Sequence, residues 1–166
     1  MKYIKLFESV QDERLAEDTW GIDPFELRDI VQMCIEDCGI FCSEFEISLG
    51  ISSILQFDRW DGSKYDSERF SSIFRIFPDR IAFTVGFRDR PPSPKDVFDD
   101  LLKNGKYLKI CVSVIGIDED DDEKIVNLKE AIDERLAAFG AGYDAEDISH
   151  FGNDAVEIVF RKEINI

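Results

Sequence analysis

Phe70-Ser71-Ser72-Ile73-Phe74-Arg75-Ile76-Phe77-Pro78-Asp79-Arg80-Ile81-Ala82-Phe83-Thr84-Val85-Gly86-Phe87 is the stretch on which the fold class turns. Phe70, Ser72, Phe74 and Ile76 alternate with their neighbours, and Ile81, Phe83, Val85 and Phe87 do the same. A period of two is that of a strand with one buried face. Pro78-Asp79 lies between the two runs and suits a tight reversal, so the stretch reads as an antiparallel hairpin. Upstream, Phe45, Ile47, Leu49 and Ile51 alternate with Glu46, Ser48 and Gly50, which adds a strand. Asp58 to Asp66, with its Asp61-Gly62 pair, reads as a loop. Downstream, residues 107–117 are apolar on both faces, as a central strand is. A weak strand near Asp147–Phe151, a Gly152-Asn153-Asp154 turn and a strand carrying Val156, Ile158 and Phe160 complete the chain.

Helices punctuate these strands. Asp23-Pro24-Phe25-Glu26 supplies an N-cap, a proline at the first helical position and a glutamate at the third. Phe25, Leu27, Ile30, Val31, Cys34, Ile35 and Cys38 then form one apolar stripe that Gly39 closes. Ser93-Pro94-Lys95-Asp96 opens a second helix with Val97, Phe98, Leu101 and Leu102 inward and Gly105 as its stop. Ile125, Leu128, Ile132, Leu136 and Phe139 mark a third, ending at Gly140. Ahead of them, Ile4, Phe7 and Val10 recur at helical spacing, and residues 1–22 read as a short amphipathic arm. The expected architecture is α+β: a two-layer sandwich of a mainly antiparallel sheet of about five to six strands with three helices on one face. The arm, 1–22, precedes a single domain, 23–166.

The chain has 166 residues, 44% of them hydrophobic, with 14 Phe. A chain this long buries roughly two-thirds of its extended surface on folding, which excludes wholesale disorder. It carries 36 Asp and Glu against 20 Lys and Arg, a net charge of -16, and its pI is about 4.4. Such a field repels phosphate backbones and anionic lipid, so neither direct nucleic-acid binding nor membrane binding is expected. No stretch approaches the ~18 uncharged apolar residues of a membrane span. Lys5 and Glu8 interrupt the N-terminus too early for a signal-peptide core, which points to a cytoplasmic protein. Cys34, Cys38, Cys42 and Cys111 make no disulfide framework, and the first two fall on the apolar stripe, where free cysteine packs as a small hydrophobe.

Asp118-Glu119-Asp120-Asp121-Asp122-Glu123 is the most unusual run. Read as a calcium loop it fails, because Glu123 stands where the sharp turn needs glycine and Lys129 where a bidentate glutamate is required. Two readings remain open. One is a negative stripe that docks on a basic partner. The other is a solvated loop whose acids favour a helix N-terminus, with Asp120 as N-cap and Glu123 completing a capping box.

No catalytic set assembles around His150, the single histidine. Gly50-Ile51-Ser52-Ser53-Ile54 lacks the second glycine of a nucleophile elbow, and Gly140 to Ala145 follows a helix where a dinucleotide motif follows a strand. Carboxylate-metal chemistry would have to use Asp79 or Asp122-Glu123-Lys124, neither supported by a strand. The expectation is no cofactor, no metal and no catalysis. Arg88 to Pro94 has the spacing of a proline-rich ligand but fits a strand-to-helix connection. Trp20, Trp60 and Tyr65 fall in expected loops, where they either anchor a partner or cover the core edge.

Met1-Lys2-Tyr3-Ile4-Lys5-Leu6-Phe7-Glu8 resembles the opening of small proteins of large T-even-like tailed bacteriophages. Within that resemblance, Leu6-Phe7-Glu8-Ser9 is similar to the site a prohead protease cleaves, after Glu8, in peptides that direct proteins into the capsid.

Two functions follow as expectations, and a third has weaker footing. The first is a non-enzymatic, phage-encoded acidic accessory protein in the cytoplasm of the infected host. It would bind a basic protein such as a host nuclease or defence enzyme, as inhibitor or nucleic-acid mimic, with residues 118–123 as the contact. The second is a virion or capsid-internal protein whose N-terminal peptide is an address. The third is a carboxylate-based, metal-dependent hydrolase.

Overall fold

Asp23 caps the helix it was expected to cap. Its side chain accepts a hydrogen bond from the Phe25 amide at 2.8 Å, with Pro24 opening the helix and Gly39 closing it at a φ of 66°. The computed structural model describes residues 2–6, 10–42, 44–86, 103–117, 122–146, 148–151 and 154–164. In chain order the elements are β1 (Lys2–Leu6), α1 (Val10–Trp20), α2 (Pro24–Asp37), β2 (Glu44–Asp58), β3 (Lys64–Ile76), β4 (Ile81–Gly86), β5 (Tyr107–Ile115), α3 (Asp122–Ala138), β6 (Asp144–Ala145), β7 (Ser149–Phe151) and β8 (Ala155–Glu163).

The strands form one open sheet in the order β1-β4-β3-β2-β5-β8-β6, with β7 also on β8, and every pairing is antiparallel. The hairpin holds, with Phe74 opposite Phe83 and Ile76 opposite Ile81. β5 is central, between β2 and β8, as its two apolar faces require. Phe45, Ile47, Leu49 and Ile51 meet Val114, Val112, Ile110 and Leu108 across the ladder. These side chains share one core with Leu27, Val31, Cys34 and Ile35 of α2 and Ile125, Leu128, Ile132 and Leu136 of α3. The fold is the expected α+β class, with helices on one face of a mainly antiparallel sheet.

Three expectations need correction. The start of the arm is not helical: Lys2–Leu6 is a strand, paired from Lys2 opposite Gly86 to Leu6 opposite Ala82, while Val10–Trp20 of the arm is the helix α1. A run this short fits either period, and the open edge of β4 selects the extended form. Trp20 is no loop aromatic. It ends α1 fully buried, packs edge-on against Phe74 at 5.9 Å, and donates its indole N–H to the Gly50 carbonyl at 3.2 Å. Finally, the expected loop from Asp58 to Asp66 shrinks to a turn, because Ser52–Asp58 and Lys64–Phe70 continue the hairpin ladder. The second expected helix lies outside the described residues except for helical Lys103–Asn104, and Arg88 to Pro94 lies wholly outside them.

A bulge between Leu49 and Gly50 reverses which face of the sheet the even-numbered residues of β3 occupy. Above it Phe74 and Ile76 point to the core; below it Ser72 and Glu68 bond to Ser48 and Ser52 on the opposite face. Gly50 is required here, since a Cβ would meet the Phe70 ring and lie 2.5 Å from the Ser71 carbonyl.

Candidate interaction face

The described helices α1, α2 and α3 bury their apolar stripes on the sheet, so the 3.6-residue period leaves their polar positions to form the outer surface of the layer. Those positions are overwhelmingly acidic. Together α1, α2 and α3 hold thirteen carboxylates and five cations, a net of −8. The strands β1 to β8 hold eight carboxylates and eight cations, a net of zero. Half of the chain's charge of -16 is thus carried by the three helices and none by the strands.

Glu17 and Asp18 of α1, Glu26, Asp29, Glu36 and Asp37 of α2, and Glu123, Glu130 and Glu134 of α3 are all exposed. α2 and α3 pack side by side with α1 against α2, so these carboxylates share one layer. Two of its cations are engaged locally. Arg28 lies 3.7 Å from its neighbour Asp29, and Lys124 donates to the Gly39 carbonyl at 3.2 Å. Phe25, Met33 and Val126 are exposed on the same layer, which supplies apolar contact area among the acids.

The opposite face of the sheet also gathers charge, but it pairs it. Glu46 receives the Arg75 Nε at 2.5 Å. Lys109, almost wholly buried, contacts Glu68 and lies 3.6 Å from Glu146, which also faces Arg161 at 3.4 Å. Ser52, fully buried, donates to Glu68 at 2.5 Å. Burial works to raise the Glu68 carboxyl, yet the hydrogen bonds from Lys109 and Ser52 and the ammonium charge win and hold it below its ordinary value. Glu157 goes the other way: burial raises it, Lys109 opposes and Glu146 adds to the rise. Lys109 is held by two carboxylates and the Ser52 hydroxyl is spent on Glu68, so neither the ammonium nor that hydroxyl is free to act as a nucleophile. The group ties β2, β3, β5 and β8 to one another and to Glu146, the residue after β6.

The thiols are quiet as well. Burial pushes Cys111 up to about 12 and raises Cys34, Cys38 and Cys42, so none is a ready thiolate near neutral pH. Among the described residues, no three His, Cys, Asp or Glu side chains are grouped to hold a metal ion. His150 is exposed on β7 and Asp79 sits exposed in the β3–β4 turn. No helix among the described residues is long and apolar enough to cross a membrane.

Of the residues singled out in the sequence, Asp122 and Glu123 open α3, exposed at the rim of the acidic layer. Asp118, Glu119, Asp120 and Asp121 lie outside the described residues, and with them the Asp120 cap. Leu6 is the last residue of β1, while Glu8 and Ser9 lie outside the described residues. The acidic run was the conspicuous signal, but most of the helical charge sits elsewhere, spread at helical spacing along α1, α2 and α3. The Lys109 group was missed because it joins residues of β2, β3, β5 and β8 through their register, which no local pattern encodes. No family model, curated protein or solved structure matches the chain.

Proposed function

We propose that this chain acts without chemistry of its own, as an acidic accessory protein that binds a basic protein partner across its helical layer. The observation that carries the reading is the segregation of charge: a net of −8 on three helices of one layer, set on strands of zero net charge. Segregated charge gives a steering field with a direction, which evenly mixed charge does not. Asp122 and Glu123, the end of the run 118–123, stand exposed at the start of α3. A basic groove that ordinarily takes nucleic acid, as in a nuclease or defence enzyme of a phage-infected bacterium, is the complementary surface. The phage context rests on the N-terminal resemblance alone.

Capture from infected-host lysate tests this. Tagged protein retains a basic protein at low ionic strength, releases it as salt rises, and loses it to added duplex DNA, which competes for the same groove. Recovery of no partner that elutes with salt would overturn the proposal.

A further inference from the structure

Beyond Ser52, which still faces Tyr107 of β5, the described ladder of β2 continues on β3 alone. Residues 53–58 and 64–69 therefore form a two-stranded ribbon that extends past the sheet. Its surface is aromatic: Phe57 and Tyr65 stack at 5.5 Å between centroids, and the Arg59 guanidinium covers Tyr65 at 5.1 Å. Trp60, at the apex, is 99% exposed.

The apex is built to hold that indole outward. The Arg59 amide donates to the Ser63 carbonyl at 2.7 Å, the Gly62 amide donates back to Arg59 at 3.0 Å, and Gly62 takes a φ of 87°. Asp61 accepts from both the amide and the hydroxyl of Ser63, at 2.9 and 2.6 Å, and these bonds keep its carboxyl below the ordinary value. A tryptophan on a pre-ordered turn loses little freedom on binding, and tryptophan dominates contact energies where it is sequestered. Its indole face is the strongest cation acceptor among side chains. Asp58, which lies 4.0 Å from Lys64, and Asp61 stand on either side of it in the chain, both exposed.

We infer that the β2–β3 apex is a second contact point, where Trp60, flanked by Asp58 and Asp61, takes an arginine-rich segment of a protein partner. The inference rests on the proposed reading that the partner is basic, and adds what it presents: a guanidinium on the indole with a carboxylate within reach. Tyr65 already carries Arg59 on its ring in the same manner, an internal precedent for this recognition.

Calorimetric titration with a nona-arginine peptide tests it, using the full chain, Trp60→Ala, Trp60→Phe, and a helix-layer variant, Glu130→Lys with Glu134→Lys. Trp60→Ala weakens binding about tenfold and Trp60→Phe by less, because phenylalanine keeps part of the cation attraction. Trp60 has no packing role, so these variants fold. Unchanged affinity in Trp60→Ala, or no binding by the full chain, overturns the inference. Loss of binding in the helix-layer variant alone overturns it while sparing the proposed function. Loss at Trp60 with no loss in the helix-layer variant keeps the apex and counts against the helical face. Sedimentation of the unliganded full chain as a dimer that Trp60→Ala disperses would assign the apex to a second copy and overturn the inference as well.

Discussion

Replacing Lys109 with Met keeps most of the buried stem and deletes only the ammonium. Glu68 and Glu146 then lose the cation they share, and Glu157 loses the charge that restrains its rise. Orphaning a buried ion costs about 3–5 kcal/mol. Here the side chains of Glu68 and Glu146 are 36% and 25% exposed, so water relieves part of the penalty and about 2 kcal/mol is the expected loss at neutral pH. The loss depends on pH. Glu68 lies below its ordinary 4.5 in the fold, so its stabilisation is present above that value and fades as pH falls through the folded one. Glu157 lies above 4.5, so it opposes the fold as pH rises through its raised value. Without Lys109 both carboxyls move up and protonate sooner, so the variant recovers stability on acidification. Urea denaturation of both chains at about pH 7 and about pH 5 reads this directly, as a cost that shrinks toward acid. An equal cost at both values, or a cost at pH 7 under about 0.5 kcal/mol, would refute the view that this lysine neutralises the cluster.

Three further outcomes follow from the packing. Trp20→Phe keeps an aromatic against Phe74 but leaves the Gly50 carbonyl without its indole donor, and lowers stability by about 1–3 kcal/mol in thermal or urea denaturation. Gly50→Ala forces its methyl into the Phe70 ring and the Ser71 carbonyl and costs about 1–3 kcal/mol in the same assay; a neutral result would mean that the bulge is misplaced. Cys111, buried with its thiol pushed up to about 12, reacts with an aromatic disulfide reagent near neutral pH only as fast as the fold opens, and fast labelling in the native state would contradict its placement.

The parts of this fold that were legible in the sequence are those with strong local signals. Asp23-Pro24 and Gly39 bound α2, Gly140 follows α3, and the alternation about Pro78-Asp79 gives the β3–β4 hairpin. Each is a capping or periodicity argument that neighbouring residues settle. The failures share a cause, which is that tertiary pairing outweighs local pattern. Lys2–Leu6 becomes a strand because β4 offers an edge. Ser52–Asp58 shows no clean alternation and is extended because Lys64–Phe70 pairs with it. Trp20 reads as a loop residue because its partners, Gly50, Phe74 and Tyr143, are far away in sequence. For the interaction face, the net charge was plain from composition, but its location was not. The run at 118–123 is conspicuous because it is contiguous, whereas the helical acids are interspersed among apolar residues of three helices and become a surface only once the apolar stripes are packed.

Two charge-reversed chains of equal net charge test the central claim most directly. One carries Glu26→Lys, Glu36→Lys, Glu130→Lys and Glu134→Lys on the helices. The other carries Glu44→Lys, Asp79→Lys, Asp144→Lys and Glu163→Lys on strands and a strand turn, at positions that are likewise exposed. Capture of a basic protein partner from lysate across a salt series compares them with the parent chain. The account predicts that the helix-reversed chain loses the salt-eluted basic partner while the sheet-reversed chain keeps it; equal loss in both, or retention by the helix-reversed chain, would contradict it.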